Sequence, residues 1–205
     1  MRALEVLASR ELKIAERPLP PAPGEGEVQV AVGAVALNHI DVWGWRGMAF
    51  AKRKLPLVVG AEAAGEIVAV SPDVSGLKPG DRVVMYGALT CGECKACRQG
   101  RDNLCENVAG FMGFHVDGFA REFVNMPARL AVPVPPGVSD SEAACAPIAF
   151  ATVEHMLFDN AKLAPGENEV TSGPTAAISP DASAPTTSGS LRLANAMPRQ
   201  PQTSM

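Results

Sequence analysis

Short runs of apolar and polar residues, rich in valine and alanine, fill the first 135 positions of the chain. Turn-forming clusters separate them, such as PPAPGEG at 20–26 and SPDVSGLKPG at 71–80. This spacing predicts a mainly β fold, either a barrel or a sandwich. The predicted strands are MRALEVL at 1–7, LKIAERP at 12–18, EVQVAVGAVAL at 27–37, EIVAV at 66–70, DRVVMY at 81–86 and FAREFV at 119–124.

Two segments predict helices. The aromatic stretch HIDVWGWRGM at 39–48 is compact enough for a short helix and turn. Residues 139–163 form a longer helical segment, which opens with Ser139 and Glu142 in the spacing of a capping box and closes near Pro165. Pro147 is expected to divide this segment into two helices.

Composition limits the classes of function that the chain can have. It has 205 residues, of which 47% are hydrophobic, and a net charge of −4, so it can bury a core. It has no basic run, and we therefore expect no nucleic-acid partner. The N-terminus lacks a signal-peptide core and no window of about 18 residues is apolar enough for a membrane span. These features predict a cytoplasmic protein that does not bind membranes.

Four cysteines crowd into the stretch CGECKACRQGRDNLC at 91–105, namely Cys91, Cys94, Cys97 and Cys105. In a reducing compartment such a cluster favours a metal site over disulfides. A structural zinc ion uses all four thiolates, whereas a redox dithiol uses only two. An iron–sulfur cluster remains an alternative, although the fourth cysteine of a ferredoxin-type run follows sooner and precedes proline. Incidental free thiols are a further alternative.

The order of these pieces resembles the medium-chain dehydrogenases, which include zinc alcohol dehydrogenases and quinone oxidoreductases. The resemblance covers about residues 1–167. It rests first on the cysteine spacing between two strands. Supporting segments are LNHIDVWGWRG at 37–47, GAEAAGEIVAVSPDV at 60–74, KPGDRV at 78–83, DGFAREFV at 117–124 and KLAPGE at 162–167.

The resemblance implies an irregular β-barrel similar to the chaperonin co-factor GroES, with a zinc lobe at about residues 87–110 and helices at its C-terminal end. It also implies an NAD(P)H-dependent oxidoreductase of which this part supplies the substrate side. The implied substrates are small carbonyl compounds, alcohols or quinones. The resemblance also makes a homo-oligomer one of the expected assemblies.

The chain departs from the family members that hold a catalytic zinc ion. It has Asn38, Ala61 and Ile148 at the three positions where those relatives have metal ligands. Asp41 and Glu62 would be too few to replace them. The pattern N-x-x-D at 38–41 is similar to the zinc-independent branch, in which hydride passes directly from the nicotinamide to a conjugated carbonyl acceptor.

The resemblance implies catalytic roles for Asp41, His39 and Thr152. Each also has a local interpretation, because polar residues at a helix start or in an apolar helix commonly bond to the neighbouring backbone. Glu62, which enters a strand after a glycine, has a structural and a site interpretation in the same way.

The sequence after residue 167 differs from the preceding part. In residues 168–205, Ser, Thr, Pro, Ala and Gly make up 24 of 38 positions and no aromatic residue occurs, which predicts a disordered low-complexity tail. The glycine fingerprint of a dinucleotide-binding (Rossmann) domain is missing from the 205 residues, so we expect no cofactor-binding residues here. The expected molecule is a truncated oxidoreductase, inactive alone. The alternative is a stand-alone zinc-braced binding or assembly module.

Overall fold

The computed structural model describes residues 1–47 and 53–164, together with the short strands Thr171–Ser172 and Thr175–Ala176. Eight strands precede these two: β1 Arg2–Ala8, β2 Glu11–Glu16, β3 Glu27–Ala36, β4 Leu57–Val58, β5 Glu62–Val70, β6 Arg82–Tyr86, β7 Phe123–Pro127 and β8 Ala131–Pro133. In the described part of the chain, no helix has both the length and the apolar character needed to cross a bilayer.

The helices are short. The α-helices are α1 His39–Trp45, α2 Lys95–Arg98, α3 Asp140–Ala143 and α4 Ala151–Glu154. Single turns of 3-10 helix lie at Asp102–Leu104 and Ala128–Leu130, and π-helical segments lie at Ala146–Phe150 and His155–Asn160. The prediction of a mainly β fold is therefore confirmed.

The largest sheet among the described residues is antiparallel and five-stranded, in the order β7-β3-β5-β6-β8. Its inward side chains build the core because successive residues of a strand point to opposite faces. The core residues are Val28, Val30, Ala63, Ile67, Val83, Met85, Met112, Phe119, Val124, Met126, Leu130 and Ala131.

A second antiparallel sheet has the order β2-β1-β4. Backbone hydrogen bonds join it to the segment before β7, since Leu4 N donates to Ala120 O at 2.8 Å and Glu122 N donates to Arg2 O at 3.2 Å. In the described ranges, these ladders form two open sheets rather than one closed ring. The expected barrel is thus built from two joined sheets.

Helix α3 packs against the five-stranded sheet where the sheet has a glycine. A Cβ atom on Gly33 would lie only 2.2 Å from Asp140 Oδ2. The same carboxylate accepts a hydrogen bond from Arg82 Nε at 3.0 Å. The predicted capping box is confirmed, because Ser139 N donates to Glu142 Oε2 at 2.9 Å while Ser139 Oγ accepts from Glu142 N.

Contacts divide the chain into two compact units, Met1–Thr152 and Val153–Met205. Pro147 lies in the first unit, at the start of a π-helical segment that follows α3. In the second unit, His155 and Asp159 pair through Nδ1 and Oδ2 at 2.9 Å, and the strands 171–172 and 175–176 pair antiparallel. The predicted boundary at residue 167 and the remainder of the predicted tail lie outside the described residues.

Candidate metal centre and the neighbouring polar site

The four-cysteine stretch forms a lobe between β6 and β7. Its base is closed by backbone hydrogen bonds of 2.9 Å from Leu89 N to Gly110 O and from Ala109 N to Leu89 O. The turns within it follow from local sequence. Cys94 caps helix α2 by accepting from Cys97 N at 3.5 Å.

The four sulfur atoms of the lobe lie within 4.8 Å of one another. Cys91 Sγ is 3.5 Å from Cys105 Sγ and 3.9 Å from Cys97 Sγ. A tetrahedral zinc ion with Zn–S bonds of about 2.3 Å places its sulfur atoms about 3.8 Å apart. The cysteines are free thiols. Their arrangement therefore fits a single tetrahedral ion.

Backbone amides point at these sulfur atoms. Glu93 N and Cys94 N donate to Cys91 Sγ at 3.4 and 3.3 Å, and these N–H groups lower the pKa of the Cys91 thiol to about 6. Cys91 N donates to Cys105 Sγ at 3.3 Å. By contrast, partial desolvation and the neighbouring Cys94 sulfur raise the pKa of Cys97 to about 12. Such amide donors orient ligand atoms and stabilise thiolates.

The spacing of the four sulfur atoms favours a zinc ion over an iron–sulfur cluster. An iron–sulfur cluster places several irons and sulfides among its thiolates, which needs more room than sulfur atoms within 4.8 Å of one another leave. Four thiolates also fill the coordination sphere of zinc, so substrate and water have no position on the ion. The lobe can hold a zinc ion that braces the fold.

A second polar cluster surrounds the start of α1, where Asp41 is only 7% exposed. Its Oδ2 accepts from Asn38 N and its Oδ1 accepts from Gly60 N, both at 2.9 Å. Burial raises the pKa of the Asp41 carboxyl, although these two N–H groups act in the opposite direction. Asp41 thus ties the turn before α1 to the segment before β5.

Glu62, at the start of β5, is 1% exposed. Its Oε1 accepts from Asn38 Nδ2 at 2.8 Å. Its Oε2 accepts from Ile148 N at 2.5 Å and lies 3.4 Å from Ala149 N. Side chain and backbone donors therefore converge on this carboxylate from the α1 turn and from the segment after α3.

The three predicted catalytic residues lie in different environments. His39 is exposed, with its ring tilted against Trp43 at a centroid separation of 6.2 Å. Thr152 is exposed on α4, and Asp41 is buried. Among the described residues, no recorded hydrogen bond joins any two of the three. Their catalytic roles stay predictions.

Sequence reasoning did not find the hydrogen bonds between Asn38, Glu62 and Ile148. The signal that was present is Asn38, a polar residue at a position where relatives carry a metal ligand, together with Glu62, which directly follows another such position. Across residues 1–47 and 53–164, the four cysteines are the one group of three or more His, Cys, Asp or Glu side chains close enough to share an ion.

Comparison with known families decides which family has this arrangement. Residues 24–136 match the family model described as the alcohol dehydrogenase GroES-like domain. The chain belongs to this family. The resemblance to medium-chain dehydrogenases, inferred from the cysteine lobe and the flanking segments, is thereby confirmed.

The relatives of this GroES-like domain are dehydrogenases. The chain is 36% identical over 147 residues to L-threonine 3-dehydrogenase of Edwardsiella ictaluri (strain 93-146), covering 70% of this chain and 42% of that protein. It superimposes on an NAD-dependent alcohol dehydrogenase with a TM-score of 0.75 and 41% identity, covering 82% of this chain and 49% of the other.

A cobalt- and zinc-bound thermostable alcohol dehydrogenase from Pyrobaculum aerophilum superimposes with a TM-score of 0.73 and 34% identity. The matched region is 82% of this chain and 50% of that one. The GroES-like chain thus spans half or less of the length of these relatives.

Proposed function

We propose that this chain supplies the substrate side of an NAD(P)H-dependent oxidoreductase that acts on small alcohols, carbonyl compounds or quinones. The observation that carries the proposal is the family match over residues 24–136, within which the cysteine lobe is complete. The relatives named above are called dehydrogenases, two of them alcohol dehydrogenases, which supports the reaction class.

We assign the zinc ion to Cys91, Cys94, Cys97 and Cys105, where it would supply four metal–sulfur bonds that cross-link the lobe. Zinc needs deprotonated, reduced cysteines, and we therefore place the protein in a reducing compartment, the cytoplasm. In this proposal, the zinc lobe comprises about residues 87–110 and the GroES-like domain comprises residues 1–167, as the sequence predicts.

In the proposed reaction, a nicotinamide held by a separate cofactor domain would supply hydride to the acceptor carbon, and a proton would be delivered to the acceptor oxygen. The exposed imidazole of His39 is the proposed proton donor, and the Thr152 hydroxyl orients the acceptor by a hydrogen bond. Asp41 fixes the backbone around the site, because each of its carboxylate oxygens accepts a hydrogen bond from a backbone N–H group.

We propose that this reaction proceeds without a catalytic zinc ion. At the three ligand positions, Ala61 offers no donor, Ile148 offers none from its side chain, and the Asn38 amide donates to Glu62. The donor set around Glu62 is one carboxylate saturated by N–H groups, which does not fit the three protein ligands of a catalytic site.

The test is a chimera of residues 1–167 with the cofactor domain of a similar NAD-dependent alcohol dehydrogenase. We expect the chimera to oxidise NAD(P)H with an enone, quinone or aldehyde, whereas the 205-residue chain shows no calorimetric NAD(P)H binding, because it lacks the glycine turn that holds the phosphates.

Substitutions in the chimera test the residue roles. His39→Ala should lower kcat by about 10²-fold or more, the low end for lost general acid–base chemistry. Thr152→Ala should lower kcat less, because it removes one orienting hydrogen bond. Lys13→Ala, on the exposed strand β2, is the matched control. A folded chimera that binds cofactor and turns over no acceptor of the three classes contradicts the proposal.

A further inference from the structure

Arg129 occupies a fixed position at the edge of the core. It lies in the 3-10 turn Ala128–Leu130 that joins β7 to β8. The two residues that follow it, Leu130 and Ala131, are 4% and 6% exposed and belong to the core cluster. The backbone at Arg129 is therefore held in place by the packing of the five-stranded sheet.

The Arg129 side chain extends from this turn to the base of the zinc lobe. Its Nη2 donates a hydrogen bond to the carbonyl oxygen of Thr90, a residue that is 3% exposed. A Cβ atom built on Gly92 would lie 3.1 Å from Arg129 Nε and 3.2 Å from its Cδ. The side chain thus lies against the backbone of residues 90–92, and Gly92, with φ of +75°, leaves room for it.

Residues 90–92 carry part of the metal centre. Cys91 lies between the two residues that Arg129 contacts, and its N–H donates to Cys105 Sγ at 3.3 Å. A shift of this segment would therefore move one ligand, Cys91, and weaken the amide support at another, Cys105.

We propose that Arg129 is a positioning residue for the zinc site, which clamps the 90–92 segment onto the sheet and so sets the place of Cys91. The inference rests on the proposed structural zinc. The guanidinium also brings a positive charge to the base of a site whose four thiolates exceed the charge of the ion. Outer-shell partners of metal ligands are worth about 10–100-fold in metal affinity.

The experiment compares zinc release from the full chain and its variants to a chromophoric chelator. Arg129→Ala should release zinc about 10–100-fold faster than the original chain. Arg129→Lys keeps the charge without the planar fork and should fall between the two. Arg98→Ala, an exposed cation of the same lobe, is the matched control and should release zinc at the original rate.

Cobalt substitution separates positioning from general loss of structure. With Co²⁺ in the site, Arg129→Ala should change the visible absorption bands, which report ligand geometry, while far-UV circular dichroism of the sheets stays unchanged. Equal zinc release from Arg129→Ala and Arg98→Ala, with equal cobalt spectra, would overturn the inference. An original chain that contains no zinc would instead contradict the proposed metal site.

Discussion

Glu62 and Arg129 show what single residues contribute through contacts distant in sequence. Glu62 meets Asn38 and Ile148, which stand 24 and 86 positions away. Arg129 meets Thr90 at a separation of 39 residues. The four cysteines, in contrast, lie within one short loop. The convergence of their sulfur atoms could be predicted from spacing alone, whereas the other contacts depend on the packing of strands that local sequence does not specify.

Replacing Glu62 with glutamine should destabilise the fold. A glutamine NH₂ group cannot accept a hydrogen bond, so a donor from Asn38 or Ile148 would be left unpaired in a site that is 1% exposed. We expect a loss of about 1–3 kcal/mol in the free energy of unfolding, measured in urea. Glu66→Gln, at an exposed position of the same strand, is the control. Equal stability of the two variants would refute the buried role.

Asp41 should titrate at a higher pH than an ordinary aspartate, because burial raises the pKa of its carboxyl above the usual range. The folded state then holds the proton more tightly than the unfolded state, so this group's contribution to stability falls as pH rises between the two pKa values. The NMR shift of the Asp41 carboxyl carbon, followed as a function of pH, measures this pKa in the folded state. Asp81 is the internal control, since hydrogen bonds from Lys78 lower its pKa. The reverse order of the two midpoints would contradict the structure.

At the scale of secondary-structure elements, local sequence patterns predicted most of the strands. They did not predict which strands pair with one another. Six predicted strands correspond to β1, β2, β3, β5, β6 and β7. Strands β4 and β8 have two and three residues and adjoin or include prolines, so they lack a readable alternation. The stretch FAREFV was predicted as one strand, but its first residues bond to Gly60 and to β1 across the junction of the sheets, and β7 begins at Phe123.

The zinc lobe should behave as a separable element. Cys97→Ser removes one of four ligands and should lower zinc affinity sharply, so that amides of residues 91–105 exchange hydrogen rapidly while those of β3 and β5 stay protected. Hydrogen exchange followed by NMR measures this, with Cys145→Ser as the control thiol outside the cluster. Loss of protection throughout the sheets would show that the lobe and the core unfold together.

For the whole molecule, apolar side chains near the polar cluster remain exposed. Leu37 and Phe150, which flank the residues bonded to Glu62, are 66% and 46% exposed. The resemblance to the medium-chain dehydrogenases implies that the region of residues 139–163 packs against a cofactor domain, which predicts an exposed apolar surface here. Exposed apolar surface of this kind commonly marks an interface.

The chimera with a cofactor domain should cover that surface. We expect it to bind less of the hydrophobic dye ANS per chain than the 205-residue chain does, and Phe150→Ser should lower dye binding by the 205-residue chain alone. Leu104→Ser, an exposed apolar position on the zinc lobe, should lower binding equally in both proteins. An undiminished signal from the chimera would argue against this docking face.

Zinc content tests the central claim most directly, namely that a structural zinc ion braces the substrate side of an oxidoreductase that has no catalytic zinc. Mass spectrometry of the purified, active chimera, made with a cofactor domain that holds no zinc, should give about one zinc ion per chain. The Cys97→Ser variant should lose that ion. Two zinc ions per active chain, with one retained in the Cys97→Ser variant, would contradict the account, because they would place a second metal ion at Asn38 and Glu62.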